Sequence, residues 1–217
     1  MESSWFRPGF AGSSKSTTAT VVDVPGLVNP ALPAGALRAL TQPRLVVDDD
    51  LTLRPWRADD ADAIRTAFAT PDIQRWHMRS IDGDDEVHQW IEDWTTSWHA
   101  ETDAGWAIAR TSDDQAIGQA SLRSLALFAA QAQVSYWVVP AARGARVAAR
   151  ATRALTHWAF EVLRLHRVFL LHSTANPASC RVALNCGFPA EGTLRGYMLH
   201  TDGWHDMHIH ARLHTDL

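Results

Sequence analysis

The residues best suited to chemistry lie where an apolar segment passes into a helix between Pro140 and Leu163. After Pro140 the chain reads Ala-Ala-Arg-Gly-Ala-Arg-Val-Ala-Ala-Arg and then becomes a long amphipathic pattern. A helix start presents backbone N–H groups without partners, together with the positive end of the helix dipole. This junction therefore predicts an anion site that suits phosphate groups.

The segment Asn176-Pro177-Ala178-Ser179 is a second candidate, and it also precedes a predicted helix. An Asn side chain can accept a hydrogen bond from the backbone N–H three residues later, and Pro is favoured in the first helical turn. The pattern predicts a capped helix start with Ser179 in its first turn.

Histidine and aspartate near the C-terminal end supply the remaining candidates. His205 and Asp206 follow Asp202-Gly203, which predicts a hairpin turn. The ordinary pKa of histidine suits proton transfer near neutral pH. His208 and His210 alternate with Asp206 on one strand face, a spacing that is compatible with metal ligands. We favour packing within a buried hairpin and predict no metal.

Composition limits the class of protein. With 217 residues, of which 46% are hydrophobic, the chain can bury one core and carry an extension. No apolar run approaches the roughly 18 residues of a membrane span, and the N-terminus lacks the layout of a signal peptide. The net charge of −4 argues against a surface coated by nucleic acid. Cys180 and Cys186 form neither a disulfide framework nor a zinc motif, so we expect free thiols in a cytoplasmic protein.

The chain divides into an extension and one domain. Residues 1–44 are rich in Ser, Thr, Ala, Gly and Pro, and we expect a flexible or loosely packed extension. Residues 45–217 predict a mixed α/β domain, mostly antiparallel, with one strand–helix–strand crossover. The predicted strands are 51–55, 105–111, 117–122, 134–139, 168–173, 193–200 and 205–213. The predicted helices are 59–69, 84–99, 145–163 and 178–186.

Three stretches, in this order, resemble the GNAT superfamily of N-acyltransferases. The likeness is greatest to the branch that acetylates ribosomal-protein N-termini and many small amines. The first stretch is 134–148, where Arg143-Gly144-Ala145-Arg146-Val147-Ala148 stands for the family's Arg/Gln-x-x-Gly-x-Gly/Ala. The second is 176–188, which begins Asn-Pro-Ala-Ser, and the third is 191–206, from Glu-Gly-Thr-Leu-Arg to Asp-Gly-Trp-His-Asp. The resemblance covers residues 51–213.

The resemblance implies a GNAT fold, with a central mixed sheet, flanking helices and a splayed strand pair, 134–139 and 168–173. We expect the helices 145–163 and 178–186 on opposite sides of that pair. The implied chemistry is direct acyl transfer from coenzyme A, whose pyrophosphate and pantetheine arm the turn and the strand would hold. The residues so implied for the donor are Val138, Val139, Arg143, Gly144, Ala145, Arg146, Val147, Ala148 and Asn176.

Ser179 is implied to face the donor's sulfur as the proton donor. Tyr136, Trp90 and Trp94 are implied to bind the acceptor. Trp90, Trp94 and Trp98 recur every four residues, which predicts one aromatic helix face. That face is either core or the wall of the acceptor pocket, and core is the commoner role of such a stripe.

Arg146 departs from the family pattern, which has glycine at this position. Its side chain could point outward, bind a phosphate itself, or prevent the pyrophosphate from binding. Arg143, Arg146, Arg150 and Arg153 recur at helical spacing and predict a basic stripe. The stripe is either a solvated face or the site of a phosphorylated donor, such as an acyl carrier protein or an aminoacyl-tRNA.

The general base stays open. Gln133 occupies a position where this branch often has glutamate, and an amide cannot take up a proton. The acceptor amine could lose its proton to water, to His205, to Asp206 or to His208. No single residue is preferred from the sequence.

Together these features predict an N-acyltransferase enzyme. The simplest form moves acetyl from acetyl-CoA, or another acyl thioester, to a primary amine of a small molecule or of a protein N-terminus. One alternative keeps the reaction but uses a carrier protein or an aminoacyl-tRNA as donor. Another is a degenerate relative that binds without turnover. We expect no metal cofactor and no membrane partner, and the resemblance leaves room for a homodimer.

Overall fold

The computed structural model of the chain describes residues 27–216. The strands are β1 Leu45–Val46, β2 Leu51–Pro55, β3 Ala104–Arg110, β4 Ala116–Ala126, β5 Gln131–Val138, β6 Arg167–Ser173, β7 Ala190–His200 and β8 Gly203–Leu213. The helices are α1 Ala61–Phe68, α2 Pro71–His77, α3 Asp84–Ala100, α4 Val147–Glu161 and α5 Pro177–Asn185. Among these residues, no helix combines the length and apolar character that a membrane crossing requires.

The eight strands form one sheet in the order β1-β2-β3-β4-β5-β6-β8-β7. Neighbouring strands are antiparallel except β5 and β6, which are parallel and joined through α4. The prediction of a mixed, mostly antiparallel sheet is confirmed. The sequence missed β1, which has only two residues, and α2, a seven-residue helix that ends at Met78 in the left-handed conformation.

The parallel pair is splayed, as predicted. β5 and β6 pair only at Gln131↔Arg167, Ala132↔Val168 and Gln133↔Phe169. Beyond these residues, β5 stays paired with β4 as far as Val138, and β6 stays paired with β8 as far as Ser173. The gap between β5 and β6 therefore opens inside the sheet. β5 on one side of the gap stays paired with β4, and β6 on the other side stays paired with β8.

The helices α4 and α5 lie on the same side of this gap, so the expectation of opposite sides was wrong. The Cys186 thiol donates to the Ala149 carbonyl at 3.3 Å, and Arg153 donates to the Asn185 carbonyl at 3.1 Å. Cys186 and the fully buried Phe188 belong to the same apolar cluster as the inner face of α4. Burial of this shared apolar surface holds the two helices together.

Two apolar clusters cover the two faces of the sheet, and alternation along β3 separates them. Trp106 and Ile108 point into the cluster that contains α4, whereas Ala107 points into the cluster formed by α1, α2 and α3. Trp94 lies directly over Gly105, where an added Cβ would approach the indole ring to 2.4 Å. A glycine is therefore needed at position 105 for α3 to pack this closely on the sheet.

Residues 31–43 pack firmly on the domain, more closely than the sequence suggested. Leu37 is completely buried, and the carboxylate of Glu101 accepts hydrogen bonds from the backbone N–H groups of Gly35 and Leu37 at 2.7 and 2.8 Å. The indole N–H groups of Trp98 and Trp106 donate to the backbone of the same segment. Residues 1–26 of the expected flexible or loosely packed extension, 1–44, lie outside the described residues.

Candidate active site

The edge of β5 that faces the gap offers backbone groups to a ligand. In β5 the backbone N–H and C=O groups of the even-numbered residues point toward β6. This alternation follows from Ala130, directly before the strand, whose carbonyl accepts from Arg167 N–H at 3.2 Å. Beyond the splay, Tyr136 and Val138 continue this series. The Tyr136 carbonyl lies 3.3 Å from His77 Nε2, and the Val138 carbonyl accepts from Arg143 Nε at 3.1 Å. Side chains thus occupy the places that a neighbouring strand would fill.

His77 was not found from the sequence, because α2 was not predicted. Burial lowers the pKa of His77 to about 4, and the nearby cations Arg123 and Arg79 act in the same direction. The ring is therefore neutral at pH 7. Since a carbonyl oxygen only accepts hydrogen bonds, Nε2 carries the ring proton and donates to Tyr136.

The turn before α4 has the form of an open anion site. Gly144 and Arg146 both have positive φ angles, 91° and 56°, and α4 begins at Val147 without a side-chain cap. Within residues 27–216, the N–H groups of the first helical turn therefore have no side-chain partner. The left-handed backbone of Arg146 gives a physical reason for the family's glycine at this position, since glycine adopts this conformation without steric cost. The Arg146 side chain is exposed.

Two arginines of the predicted basic stripe, Arg143 and Arg150, are paired with carboxylates. Arg150 lies against two carboxylates of the β1–β2 connection, with Nε 2.6 Å from Asp48 and an Nη 3.1 Å from Asp50. Arg143 pairs with Asp72 at 2.9 Å. These contacts leave far less free positive charge than four solvated arginines would carry.

Ser179 lies at the opposite wall of the gap, at the start of α5. The Asn176 side chain accepts from the Ser179 N–H at 3.1 Å, and Pro177 occupies the first turn, so the predicted cap is confirmed. The Ser179 hydroxyl lies 2.8 Å from the Tyr136 hydroxyl. Burial raises the pKa of Tyr136, so the phenol stays protonated near neutral pH. The two hydroxyls form a proton-bearing bridge between α5 and β5.

Of the candidate bases, His205 is the one whose ring contacts the Ser173 hydroxyl, at the last residue of β6. Its Nδ1 lies 2.7 Å from the Ser173 hydroxyl, and its Nε2 lies 2.9 Å from the Asp202 carboxylate. The carboxylate of Asp206 is exposed and accepts from the Gly196 N–H at 2.7 Å. Asp206 therefore stabilises the β7–β8 hairpin, whereas His205 links the hairpin to the strand that ends beside α5.

Comparison with known proteins identifies the family. A family model described as an acetyltransferase (GNAT) domain matches residues 50–189. The chain belongs to the GNAT family. It is 25% identical over 164 residues to the uncharacterized N-acetyltransferase YoaA of Bacillus subtilis (strain 168), covering 75% of this chain and 93% of that protein. It is 29% identical over 101 residues to the ribosomal-protein-serine acetyltransferase of Escherichia coli (strain K12), covering 46% of this chain and 56% of that protein.

Solved structures share the fold of this GNAT N-acetyltransferase. RimJ of Mycobacterium smegmatis, solved in complex with CoA-disulfide, aligns with a TM-score of 0.72 and 23% identity over 77% of this chain and 83% of that one. The spermidine N-acetyltransferase of Vibrio cholerae, solved with CoA and spermine, aligns with a TM-score of 0.69 and 19% identity over 78% of this chain and 98% of that one.

The tryptophan stripe of this GNAT enzyme lies in the core. Trp90 and Trp94 are 6% and 7% exposed, and Trp90 packs edge-on against Trp56 and Phe68. Both indoles are therefore mostly covered by other side chains, which favours the core role over the wall of an acceptor pocket. Of the three residues expected to bind the acceptor, the half-buried Tyr136 is the one that lies at the gap.

Proposed function

We propose that this enzyme transfers the acetyl group of acetyl-CoA to a primary amine, on a protein N-terminus or a small molecule. The observation that carries the proposal is the Ser179–Tyr136 hydroxyl pair at 2.8 Å across the splayed strands. A GNAT reaction must protonate a departing thiolate, and this pair holds a proton donor at the gap. An intact donor pair also favours turnover over the role of a non-catalytic binder.

The donor would lie along the gap. Its pyrophosphate would accept hydrogen bonds from the uncapped first turn of α4, and its pantetheine arm would pair with the β5 edge at Val138. Arg143 then has to release the Val138 carbonyl, which it occupies at 3.1 Å. The relative RimJ was solved with CoA-disulfide, which supports a coenzyme A site in this fold.

The chemistry follows from these positions. The amine nitrogen bonds to the acetyl carbon, and the carbon–sulfur bond breaks. The thiolate takes a proton from the Ser179 hydroxyl. Tyr136 then donates its hydroxyl proton to Ser179 through their shared hydrogen bond. We assign the loss of the amine proton to His205, acting through Ser173, because Asp202 holds Nε2–H and leaves the Nδ1 lone pair toward the Ser173 hydroxyl.

Free acetyl-CoA is favoured over a carrier protein or an aminoacyl-tRNA as donor. A macromolecular phosphate donor needs a continuous field of free cations. In the stripe, Arg150 is neutralised by Asp48 and Asp50, and Arg153 donates to a backbone carbonyl. The name of the Escherichia coli relative, a ribosomal-protein-serine acetyltransferase, supports a protein as one acceptor class.

The test is thiol release from acetyl-CoA in the presence of candidate amines. The panel contains peptides with N-terminal Ser or Ala, the same peptides with blocked N-termini, and polyamines such as spermidine. We expect amine-dependent release of coenzyme A, with the acetylated amine identified by mass spectrometry. Turnover with phosphopantetheinyl carrier protein but not with acetyl-CoA would contradict the proposal.

A further inference from the structure

Four metal-ligating side chains converge behind the gap, on the wall that carries Ser173 and Ser179. They are His172 of β6, His208 and His210 of β8, and Cys180 of α5, and their ligand atoms all lie within 4.8 Å of one another. His172 and His208 are directly paired across the two strands, and His210 lies two residues along on the same face. Cys180, in the first turns of α5, reaches the same point from the helix layer.

The distances suit a tetrahedral cation. His172 Nε2 and His210 Nε2 are 3.2 Å apart. A tetrahedral zinc ion with Zn–N bonds of about 2.0–2.1 Å holds its nitrogen ligands about 3.3 Å from each other. The two imidazoles therefore already have nearly the spacing of a shared ion.

The hydrogen bonds of the two Nδ1 atoms determine which ring nitrogens can bind a cation. His172 Nδ1 lies 2.8 Å from the Ser173 carbonyl, and His210 Nδ1 lies 3.0 Å from the Phe188 carbonyl. Because a carbonyl only accepts, each Nδ1 carries a proton, and in neutral rings the two Nε2 lone pairs face each other. A backbone carbonyl on the outer nitrogen is also the usual second contact of a metal-bound histidine.

Burial makes this arrangement of two facing nitrogens unfavourable in free energy when no cation is bound. His172 and His210 are 4% and 1% exposed, and the buried Leu170 is paired with His210 across the two strands. Two facing acceptors in an apolar setting gain nothing from each other and have lost their contacts with water. A cation between them removes that cost. Cys180 and His208 are only partly buried and give an ion access.

We propose that His172, Cys180, His208 and His210 bind one divalent transition-metal ion of the zinc class. Three imidazoles and a thiolate are borderline-soft ligands, which suit zinc and disfavour magnesium and calcium. Four protein ligands fill a tetrahedral site, so its role is structural. The ion ties α5 to β6 and β8 and so braces the wall that holds Ser179.

The sequence indicated a metal-free hairpin because it showed only His208, His210 and Asp206 together. The fold brings His172 and Cys180 to the two histidines and engages Asp206 with the Gly196 N–H instead. None of the four ligands takes part in the proposed acetyl transfer, so metal binding can be measured separately from activity.

The experiment is metal titration of the full-length protein. After dialysis against a chelator, Zn²⁺ or Co²⁺ is added and followed by calorimetry, melting temperature and, for cobalt, absorption. We expect one equivalent to bind, the melting temperature to rise, and the visible bands of tetrahedral cobalt to appear with a thiolate charge-transfer band. Mg²⁺ should bind at least about tenfold more weakly.

Two variants and one control make the test specific. We expect Cys180→Ser to abolish the charge-transfer band, and Cys180→Ser and His208→Ala each to weaken Zn²⁺ binding at least about tenfold. His214→Ala removes an exposed histidine outside the cluster and should bind like the wild type. Wild-type protein that binds no stoichiometric Zn²⁺ or Co²⁺ would overturn the proposal and leave the His172–His210 contact as a pair sharing one proton. Binding unchanged by Cys180→Ser would overturn it equally, and this variant suffices if His208→Ala does not fold.

Discussion

Two helices start at the gap between β5 and β6, and their starts are built in opposite ways. At α5 the Asn176 side chain closes the helix start by accepting from Ser179 N–H. At α4 no side chain of the described part of the chain caps the helix, and the preceding Arg146 is held in the left-handed conformation. The closed start fixes a side chain, whereas the open start leaves backbone donors for a ligand.

The two helix starts also differ in conformational free energy, and the open start of α4 is the less stable. A side-chain cap stabilises a helix by about 0.5–2 kcal/mol. The α4 start forgoes this contribution, and the left-handed backbone at Arg146 costs roughly a further 1–2 kcal/mol. A bound phosphate would restore the lost interactions of the α4 start, which is why we associate it with the donor and α5 with the proton transfer.

The closed start is tested by Ser179→Ala. Loss of a general acid should lower kcat by roughly ten- to ten-thousand-fold, while the Kd of acetyl-CoA stays within about twofold. Stopped-flow thiol release and calorimetry measure the two quantities. Tyr136→Phe, which keeps the ring and removes only the hydroxyl, should give a smaller loss of kcat. Unchanged turnover in Ser179→Ala would leave Ser179 as a residue of the helix cap region only.

The open start is tested by Arg146→Asp, which places a carboxylate where the pyrophosphate should bind. We expect the Kd of acetyl-CoA to rise about 10- to 100-fold through competition for the helix start, with kcat at saturation little changed. The matched control is Arg146→Gly, which should leave the Kd within about twofold because the wild-type side chain is exposed. A Kd that rises as much in the glycine variant would show that Arg146 itself binds a phosphate.

The closure of the gap by side chains predicts a pH effect at His77. Its folded pKa is about 4, against 6.5 for an unperturbed histidine, because burial disfavours the charged ring. Between these values the unfolded chain binds a proton that the folded protein does not, so stability falls as pH falls from 6.5 to 4. His77→Gln keeps an N–H donor for the Tyr136 carbonyl. Between pH 6.5 and 4, its free energy of unfolding should fall by on the order of 2 kcal/mol less than that of the wild type. Equal losses in acid denaturation curves would exclude a buried neutral His77.

The smallest expected effect is on the cap itself. Asn176→Ala should lower the free energy of unfolding by about 0.5–2 kcal/mol and reduce kcat less than Ser179→Ala does. Chemical denaturation and steady-state kinetics measure both. Asn176→Asp retains an acceptor and should recover most of the stability. A loss of acetyl-CoA affinity without loss of stability would instead make Asn176 a donor contact.

The sequence predicted what depends on local pattern and missed what depends on register. Apolar periodicity and helix-start residues located α1, α3, α4, α5 and the seven longer strands. By contrast, α2 has no clear period. The seating of residues 31–43 depends on Glu101, which ends α3 in a left-handed conformation and accepts three N–H groups from that segment.

The site shows the same division. Asn176 and Ser179 are three residues apart, so their hydrogen bond could be predicted from spacing. The contacts of Ser179 with Tyr136 and of Ser173 with His205 cross the gap or the β6–β8 ladder, and no local pattern encodes them. The indoles of the tryptophan stripe have the same spacing whether they face core or pocket, so only the packing decides between these roles.

A crystal structure with acetyl-CoA tests the central claim most directly. We expect the pyrophosphate within hydrogen-bond distance of the first-turn N–H groups of α4, and the thioester sulfur beside the Ser179 hydroxyl. Arg143 should have left the Val138 carbonyl, with the pantetheine arm in its place. Acetyl-CoA bound away from the α4 start, or a pantetheine arm outside the gap with Arg143 still on Val138, would contradict the account.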